Sequence, residues 1–287
     1  MRILVFGKTG QVATELARQA GVVNLGRDQA DLSDPAACAA IIRETDADVV
    51  INAAAYTAVD KAEDAEELAT LINATAPAAM AKAAAKRGLP FLHISSDYVF
   101  DGQGACPWQP GDTPTPLGAY GRSKLAGEDG VRAAGGAYAI LRTSWVFSAH
   151  GTNFVKTMLR LGKGRDSLDI VADQIGGPTP AAEIATVLAT MAKAFHNGAG
   201  RSGIYHYGGI PAISWAGFAR QIFASSGMKV AVRDIPTSAY PTPAKRPLNS
   251  RLNACTLAAD YGIEPPDWKT GLNEVLKELG QLKNDKT

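Results

Sequence analysis

The sequence predicts an α/β fold, in which a doubly wound parallel sheet is followed by a smaller C-terminal domain. Five short apolar runs without polar alternation occur in the first half, as in strands that are buried on both faces. They lie at residues 3–6, 22–25, 48–52, 91–94 and 138–142. This regular order ends after residue 145, so we expect one domain at 1–145 and a second mainly at 146–287, with segments near 180–210 returning to the first.

Length, composition and charge are those of an ordinary globular chain that acts on a small molecule. It has 287 residues, 46% of them hydrophobic, and a formal net charge of +1 with both signs interspersed. No basic excess favours nucleic acid, and no apolar stretch suits a signal peptide or a membrane span. Cys38, Cys106 and Cys255 are odd in number and far apart, which fits neither a disulfide framework nor a zinc site. We therefore expect a cytoplasmic protein.

A glycine-rich turn directly follows the first apolar run. Gly7, Gly10 and Ala13 form a G-x-x-G-x-x-A pattern between that run and a segment with helical spacing. Glycine lets a pyrophosphate approach the backbone N–H groups at a helix N-terminus. The pattern departs from G-x-G-x-x-G, and a tight turn without a ligand would explain the same residues. The predicted cofactor contacts of this turn are Gly7, Gly10, Gln11 and Val12.

The residues after the second run bear on the choice of nicotinamide cofactor. An acid there binds the ribose 2′-hydroxyl, whereas a base accommodates a 2′-phosphate. Gly26 and Arg27 stand at this place, so Arg27, helped by Lys8, favours NADPH, with NADH as the alternative. A solvated surface charge is the other interpretation of Arg27. Asp31 is expected to hydrogen-bond the adenine amino group while Leu32 covers the ring.

Small residues and then an acidic run follow the third predicted strand. Small side chains at the carboxyl end of a parallel strand leave room for a ligand across the sheet edge. The predicted cofactor contacts here are Ala53, Ala54, Ala55 and Tyr56. The acidic residues after them are Asp60, Glu63, Asp64, Glu66 and Glu67. We interpret this run as a solvated helix start rather than a metal site.

Polar residues follow the fourth predicted strand, at the same edge of the sheet. Ser96, Asp97 and Tyr98 come directly after its apolar run, and a hydroxyl there can hydrogen-bond a substrate carbonyl. His93 lies within the run and is expected to be a packed core residue rather than a catalyst. The loop at 101–118 is too rich in proline for regular structure.

Tyr120 and Lys124 are spaced four residues apart in a predicted helix, so they share one face. A phenol can deliver a proton to a carbonyl oxygen if its anion is accessible, and a nearby ammonium favours that anion. The spacing also occurs by chance in many proteins, so its meaning depends on the glycine turn and on Ser96.

In this order and at these intervals, the motifs resemble the extended short-chain dehydrogenase/reductases. The resemblance implies a Rossmann-type sheet that binds NAD(P) in the first domain and a substrate-binding second domain. Ser96 would polarise a keto oxygen and Tyr120 would protonate it. Lys124 would hold the nicotinamide ribose and lower the pKa of Tyr120, and Asp97 belongs to the same catalytic group.

A closer resemblance, to the dTDP-4-dehydrorhamnose reductase family, extends over nearly the whole chain. It is carried by residues 57–63, 97–102, 142–147, 153–154, 173–179 and 239–252. It implies reduction of the C4 keto group of dTDP-4-dehydro-β-L-rhamnose, a nucleotide sugar, to give dTDP-L-rhamnose. The implied substrate contacts are Ser96, Asp97, Tyr98, Trp145, Asn153, Arg246 and Asn249.

Three of these contacts have other interpretations from the residues alone. Trp145 could stack on the deoxysugar, with core packing as its alternative. Arg246 and Asn249 offer donors suited to a diphosphate, and a proline-stiffened surface loop is the alternative. Stabilisation of that loop is an equal alternative for Asn249.

Some members of the family are reported as Mg²⁺-bridged dimers through glutamates. Glu15 is present, but residues 180–183 offer no securely placed second ligand, so no metal is predicted, and a homodimer is one assembly that the resemblance allows. Two other functions fit the same fold. One is a nucleotide-sugar epimerase or dehydratase that recycles bound NAD⁺, and the other is a non-catalytic NADP-binding regulatory subunit.

Overall fold

The computed structural model describes residues 1–283, and its first half alternates strands and helices as the apolar runs predict. The elements are β1 Ile3–Phe6, α1 Gln11–Leu16, β2 Val22–Leu25, α2 Pro35–Glu44, β3 Val49–Asn52, α3 Val59–Ala62, α4 Glu66–Thr70, α5 Ala76–Lys86, β4 Phe91–Ser96, α6 Ala119–Ala133 and β5 Tyr138–Thr143. A π-helical turn, Leu71–Thr75, joins α4 to α5, and a 3₁₀ turn, Asp97–Val99, follows β4.

The elements of the second half include several strands of only two residues, whereas its helices are as long as those of the first half, contrary to the shortening that its irregular pattern predicts. They are β6 Val146–Phe147, α7 Phe154–Gly162, β7 Ser167–Val171, β8 Ile175–Gly176, β9 Thr179–Pro180, α8 Ala181–His196, β10 Gly203–Tyr207, β11 Ile213–Ser214, α9 Trp215–Ser226, β12 Ala231–Ile235, β13 Asn249–Ser250, α10 Cys255–Tyr261 and α11 Trp268–Glu278. Within residues 1–283, no helix is both long enough and apolar enough to cross a membrane.

The main sheet has six parallel strands in the order β10-β5-β4-β3-β1-β2. The chain runs outward from β1 to β2 and then returns to place β3 on the other side of β1. This reversal opens a crevice at the carboxyl ends of β1 and β3, where doubly wound sheets bind ligands. Phe6 of β1 is in register with Asn52 of β3, so the glycine turn and the alanine segment lie side by side. The predicted fold class is confirmed.

Helices cover both faces of this sheet. Ile3 and Val5 face one layer, which contains α1, α8 and Leu257 of α10. Leu4 and Phe6 face the other layer, which contains α2 and α5. The strands therefore need apolar residues at every position, which explains the lack of alternation in their sequence. The strand and helix predicted to return to the sheet are β10 and α8, while the division into two domains stays a prediction.

A third apolar cluster lies in the second half of the chain. It joins α7, α9 and α11 around Phe218 and Trp268, both with no exposed surface. The parallel pair β7–β12 and the small sheet β11-β8-β13 belong to this region. The loop after β12 brings residues 240–249 back toward the carboxyl end of β4, so the site receives side chains from both halves.

A buried ion pair fastens α6 to the sheet. Arg142 of β5 donates from Nε and Nη2 to the two carboxylate oxygens of Glu128 at 2.9 and 2.6 Å, and both side chains are 1% exposed. The guanidinium also lies 4.9 Å from the ring centroid of Phe100 and donates to the Pro110 carbonyl at 3.4 Å. This pair therefore links the helix of Tyr120 to the proline-rich loop before it.

Candidate active site

Helix α6 delivers Tyr120 in its first turn, close to the end of β4. A Cβ on Gly121 would lie 2.2 Å from the Tyr98 carbonyl oxygen, so only glycine allows the helix to pass the 3₁₀ turn this closely. The rings of Tyr98 and Tyr120 meet edge to face, with centroids 5.5 Å apart. Glu63 accepts from the backbone N–H of Ala119 at 3.0 Å and so fixes the start of the helix.

Ser96 and Asp97 form a hydrogen-bonded pair beside this helix. The Ser96 hydroxyl donates to Asp97 Oδ1 at 3.0 Å and accepts from the Tyr98 N–H at 3.2 Å. Asp97 is 2% exposed, and its Oδ2 has no hydrogen-bond partner in the described part of the chain. Burial raises the pKa of Asp97 to about 6, although Ser250 and Ser96 act in the opposite direction.

Tyr120 retains its proton at neutral pH. Burial raises the pKa of its phenol, the Asp97 carboxylate raises it further, and the Ser96 hydroxyl partly opposes both. A proton donor in a reduction must start protonated, and this environment ensures that state. The Lys124 Nζ donates to the Ile94 carbonyl at 2.7 Å, and the lowering of the Tyr120 pKa by Lys124 that the resemblance implies stays a prediction.

Lys124 lies one helical turn after Tyr120 and is 2% exposed. Burial lowers its pKa to about 8, and Glu128 acts against that shift. Its Nζ is 3.3 Å from the Nε2 of His93. His93 has no exposed surface, as expected of a core residue, but its ring touches the amine of the predicted catalytic lysine.

The geometry of the crevice at β1 and β3 fits the pyrophosphate of a dinucleotide. Gly7 has a φ of 120°, and a Cβ there would lie 3.2 Å from the Ala53 carbonyl carbon. Gly10 is exposed at the start of α1, whereas Val12 is buried in the core below. Close backbone approach and free N–H groups are what a phosphate requires. Ala53, Ala54, Ala55 and Tyr56 line the neighbouring strand end and are half-buried.

Two cations lie near the end of β2. The Arg27 side chain is 80% exposed and donates from Nε to Asp31 Oδ2 at 3.0 Å. Lys8 lies against Gly26, where an added Cβ would be 3.3 Å from the lysine Cδ. The Ser33 N–H lowers the pKa of Asp31, and Arg27 adds to the effect. Leu32 packs in the core between the sheet and α2, and its contact with an adenine ring stays a prediction.

Trp145 occupies an unusual backbone conformation at the rim of the site. Its φ is 50°, in the left-handed region that a bulky residue seldom adopts, and such strain clusters at ligand sites. Its ring stacks on Trp215, with centroids 3.5 Å apart and an interplanar angle of 9°. Trp215 also donates from Nε1 to Gln174 at 3.2 Å. Packing on Trp215 supports the interpretation of Trp145 as a core-packing residue, and its contact with a sugar stays a prediction.

Two predicted substrate contacts use their amides within the protein. Asn153 donates from Nδ2 to Gln11 Oε1 at 2.9 Å and to the Ser148 carbonyl at 2.8 Å, and it caps α7. Asn249 donates from Nδ2 to the Cys106 carbonyl at 2.8 Å and is 2% exposed. These bonds favour the loop-stabilising alternative for Asn249, and a substrate role for either residue stays a prediction.

The acidic run lies at the starts of α3 and α4, as predicted, but several of its side chains also bind other parts of the chain. Asp60 forms an ion pair with Arg246 at 2.7 Å and accepts from the Ala244 N–H at 3.2 Å. Glu63 fixes the start of α6, and Glu66 binds Arg122 with two bonds of 2.7 and 2.8 Å. The position of Asp60 and Glu63 inside residues 57–63, which carry the family resemblance, was the signal in the sequence.

Asn73 is another residue that the sequence did not single out. It lies in the π-helical turn and is 1% exposed. Its side chain accepts from the Tyr56 N–H at 2.8 Å and donates to the Ser123 hydroxyl at 3.0 Å. It thereby holds the segment after β3 against α6, and π-helical turns are frequent at functional sites.

A separate group of side chains lies between α1 and α11. Ligand atoms of Glu15, His150 and Glu278 lie within 4.8 Å of one another. The guanidinium of Arg18 pairs with Glu15 at 3.2 Å and with Glu278 at 2.6 Å, so it already balances both carboxylates. The cluster therefore carries no metal assignment.

Replacing Asp97 by Asn is expected to stabilise the protein at alkaline pH. The pKa of this carboxyl rises from 3.8 to about 6 on folding, so folding costs free energy wherever the folded state must hold the carboxylate. At pH 8 the free energy of unfolding should rise by about 1–3 kcal/mol, a gain that fades as the pH falls through 6 toward 4. Urea unfolding at pH 8 and at pH 4 measures this gain in the free energy of unfolding. The exposed Asp64→Asn is the control. Equal gains at the two pH values would contradict the account.

The sheet, its crevice and the grouping of Ser96, Tyr120 and Lys124 at one strand edge define the class: a nicotinamide-dependent reductase of the extended short-chain kind. The family model described as "RmlD substrate binding domain" matches residues 1–281. A Burkholderia thailandensis protein named dTDP-4-dehydrorhamnose reductase is 45% identical over 97% of this chain and 99% of its own. The chain therefore belongs to the dTDP-4-dehydrorhamnose reductase family.

Solved structures agree with this assignment. The crystal structure of a dTDP-4-dehydrorhamnose reductase from Clostridium acetobutylicum has a TM-score of 0.92 and 37% identity, and the match covers 98% of this chain and 100% of that one. One from Bacillus anthracis, solved in complex with NADP, has a TM-score of 0.91 and 33% identity, covering 96% and 99%.

Proposed function

We propose that this chain reduces the C4 keto group of dTDP-4-dehydro-β-L-rhamnose with NADPH, giving dTDP-L-rhamnose. The observation that carries the proposal is a phenol, Tyr120, kept protonated beside the Ser96 hydroxyl at the carboxyl end of β4. The names of the relatives support the choice of substrate. The exposed Arg27, the neighbouring Lys8 and the NADP in the Bacillus anthracis structure support the choice of cofactor.

When bound, NADPH supplies the hydride for C4. Tyr120 delivers its proton to the keto oxygen, so the O–H bond of the phenol breaks while the O–H bond of the product alcohol forms. Ser96 orients the same oxygen by hydrogen bonding, since its hydroxyl lies on the adjoining strand end. Lys124, on the same face of α6, provides positive charge that favours the phenolate as it forms. The phenolate then regains a proton from solvent.

A panel assay tests this function against its two alternatives. NADPH and NADH absorbance is followed with dTDP-, UDP- and GDP-linked 4-keto sugars, and oxidation of NADPH with the dTDP-linked sugar is the expected result. An epimerase or dehydratase would purify with NAD⁺ and would not oxidise added NADPH. A regulatory subunit would bind the cofactor without turnover. Activity confined to UDP or GDP sugars would contradict the narrow claim.

Asp60→Asn is expected to weaken substrate binding more than turnover. The Asp60 carboxylate orients the Arg246 guanidinium, which also donates to the Tyr98 hydroxyl at 3.5 Å. Loss of this charge should raise the KM for the nucleotide sugar about tenfold and leave the KM for NADPH unchanged. Asp64→Asn, an exposed acid in the same segment, is the matched control. Equal KM values for the two variants would contradict a role of Asp60 in substrate binding.

Two further expectations concern the whole protein. We expect a homodimer without nucleic-acid partners, which sedimentation velocity of the purified chain would test. A cytoplasmic location likewise stays a prediction from the sequence.

A further inference from the structure

His93 places both of its ring nitrogens against nitrogen donors. It lies on β4 with no exposed surface, and its ring stacks on Phe91 with centroids 6.4 Å apart. Its Nδ1 is 3.1 Å from Nδ2 of Asn52, and its Nε2 is 3.3 Å from Nζ of Lys124. A neutral imidazole offers one donor and one acceptor, so it can satisfy only one nitrogen donor as an acceptor.

The amide of Asn52 determines which nitrogen of His93 accepts. Asn52 Oδ1 accepts from the Ala54 N–H at 3.2 Å, which orients the amide so that Nδ2 faces the imidazole. Nδ2 can only donate, so the Asn52 amide is paired only if Nδ1 is the acceptor. The proton of neutral His93 is then on Nε2, directed at the amine of Lys124.

An Nε2–H group distinguishes the two protonation states of Lys124. The neutral amine has a lone pair that can accept this N–H, whereas the ammonium has none and presents its own N–H to it. The Ile94 carbonyl accepts from Nζ at 2.7 Å, and this bond is stronger from the ammonium, so it acts against the effect of His93. Glu128 is the acidic group on α6 that favours the ammonium.

We propose that His93 is a positioning residue of the reductase site, whose Nε2–H stabilises the amine form of Lys124 relative to the ammonium. The proposal rests on the proposed function for its effect on turnover. His93 cannot reverse its role by becoming an imidazolium, because burial and the charge of Lys124 hold its pKa well below the usual range. His93 thereby sets the pH above which the site loses the lysine charge that the reduction uses.

The tautomer of His93 can be measured without any turnover. The protein has four histidines, so ¹⁵N-histidine labelling gives few signals, and His93→Phe identifies those of His93 by their loss. We expect the neutral Nε2–H tautomer from pH 5 to pH 9, with and without NADPH. An Nδ1–H tautomer or an imidazolium in this range would overturn the proposal, whatever the substrate of the enzyme.

The pH dependence of NADPH oxidation provides the second test. In His93→Phe, which keeps an aromatic ring beside Phe91, Lys124 should hold its proton to higher pH. The alkaline limb of kcat/KM is therefore expected to move up by about one pH unit. The control is His206→Phe, which removes a buried histidine of β10 that contacts Trp108 and Arg142 instead of Lys124. A limb that stays in place in His93→Phe would overturn the proposal.

Asn52→Asp keeps His93 and tests the same account if the phenylalanine variant does not fold. A carboxylate in place of the Asn52 amide accepts from Nδ1, so the ring proton should move to that nitrogen and leave Nε2 as an acceptor for the ammonium. We expect the ¹⁵N signals to switch tautomer and the alkaline limb to move up. Retention of the native tautomer would contradict the role assigned to Asn52. If the tautomer is as expected and no nucleotide sugar is reduced, the proposed function fails and the hydrogen-bond assignment holds.

Discussion

Tyr120→Phe is expected to reduce turnover about a thousandfold while leaving the affinity for NADPH nearly unchanged. The substitution removes the only group on the ring that can donate a proton. It keeps the ring that meets Tyr98 edge to face and that packs on Ala62, Ala69 and Ala119. Helix α6 and the crevice at β1 and β3 should therefore retain their geometry.

Steady-state NADPH oxidation with the dTDP-linked keto sugar measures this loss, and quenching titrations give the dissociation constant of NADPH. Tyr138→Phe is a matched control, because Tyr138 starts β5 at the end of the sheet remote from the site. Turnover within a few-fold of the unmodified protein would exclude Tyr120 as the proton donor. A large loss of NADPH affinity would instead point to a collapsed crevice.

Arg142→Met is expected to lower the free energy of unfolding by about 3–5 kcal/mol. The loss follows because Glu128 would remain as an unpaired carboxylate at 1% exposure. Removing both charges, in Arg142→Met with Glu128→Leu, should recover most of that loss, since neither partner of the pair is then left alone. The non-additivity of the two substitutions is the specific signature of a buried pair.

Urea unfolding of the single and double variants measures these differences. Arg132→Met serves as the control on the same helix, because its pair with Asp129 is more than half exposed and should contribute under about 1 kcal/mol. A single Arg142→Met variant within 1 kcal/mol of the unmodified protein would contradict the account. So would a double variant that is as unstable as the sum of the two single changes.

The sheet and its crevice could be predicted because their causes are local in sequence. A strand covered on both faces requires apolar residues at every position, and residues 3–6 satisfy that requirement. Gly7 follows because the turn needs a positive φ beside Ala53. Tyr120 and Lys124 share a helix face at fixed spacing, so their proximity also follows from sequence alone.

Other features depend on partners that are distant along the chain. Asp60 meets Arg246 across a separation of 186 residues, and no local pattern indicates that contact. Nothing in the sequence around Glu63 distinguishes it from a solvated acid, yet it accepts a hydrogen bond from the first residue of α6. Trp145 likewise packs on Trp215 and Gly176, which the chain supplies much later. The tertiary structure decides whether such side chains form ion pairs, stabilise another element or remain in solvent.

The layer formed by α8 and α10 has a consequence for synthesis on the ribosome. These helices cover Ile3, Val5 and Leu141 on one face of the sheet, but their own residues are translated after position 180. A nascent chain of 1–145 would therefore cover this face with α1 alone until about residue 261 has emerged. The enzyme should need chaperone protection or fast translation through this interval, and a released fragment of 1–145 should aggregate.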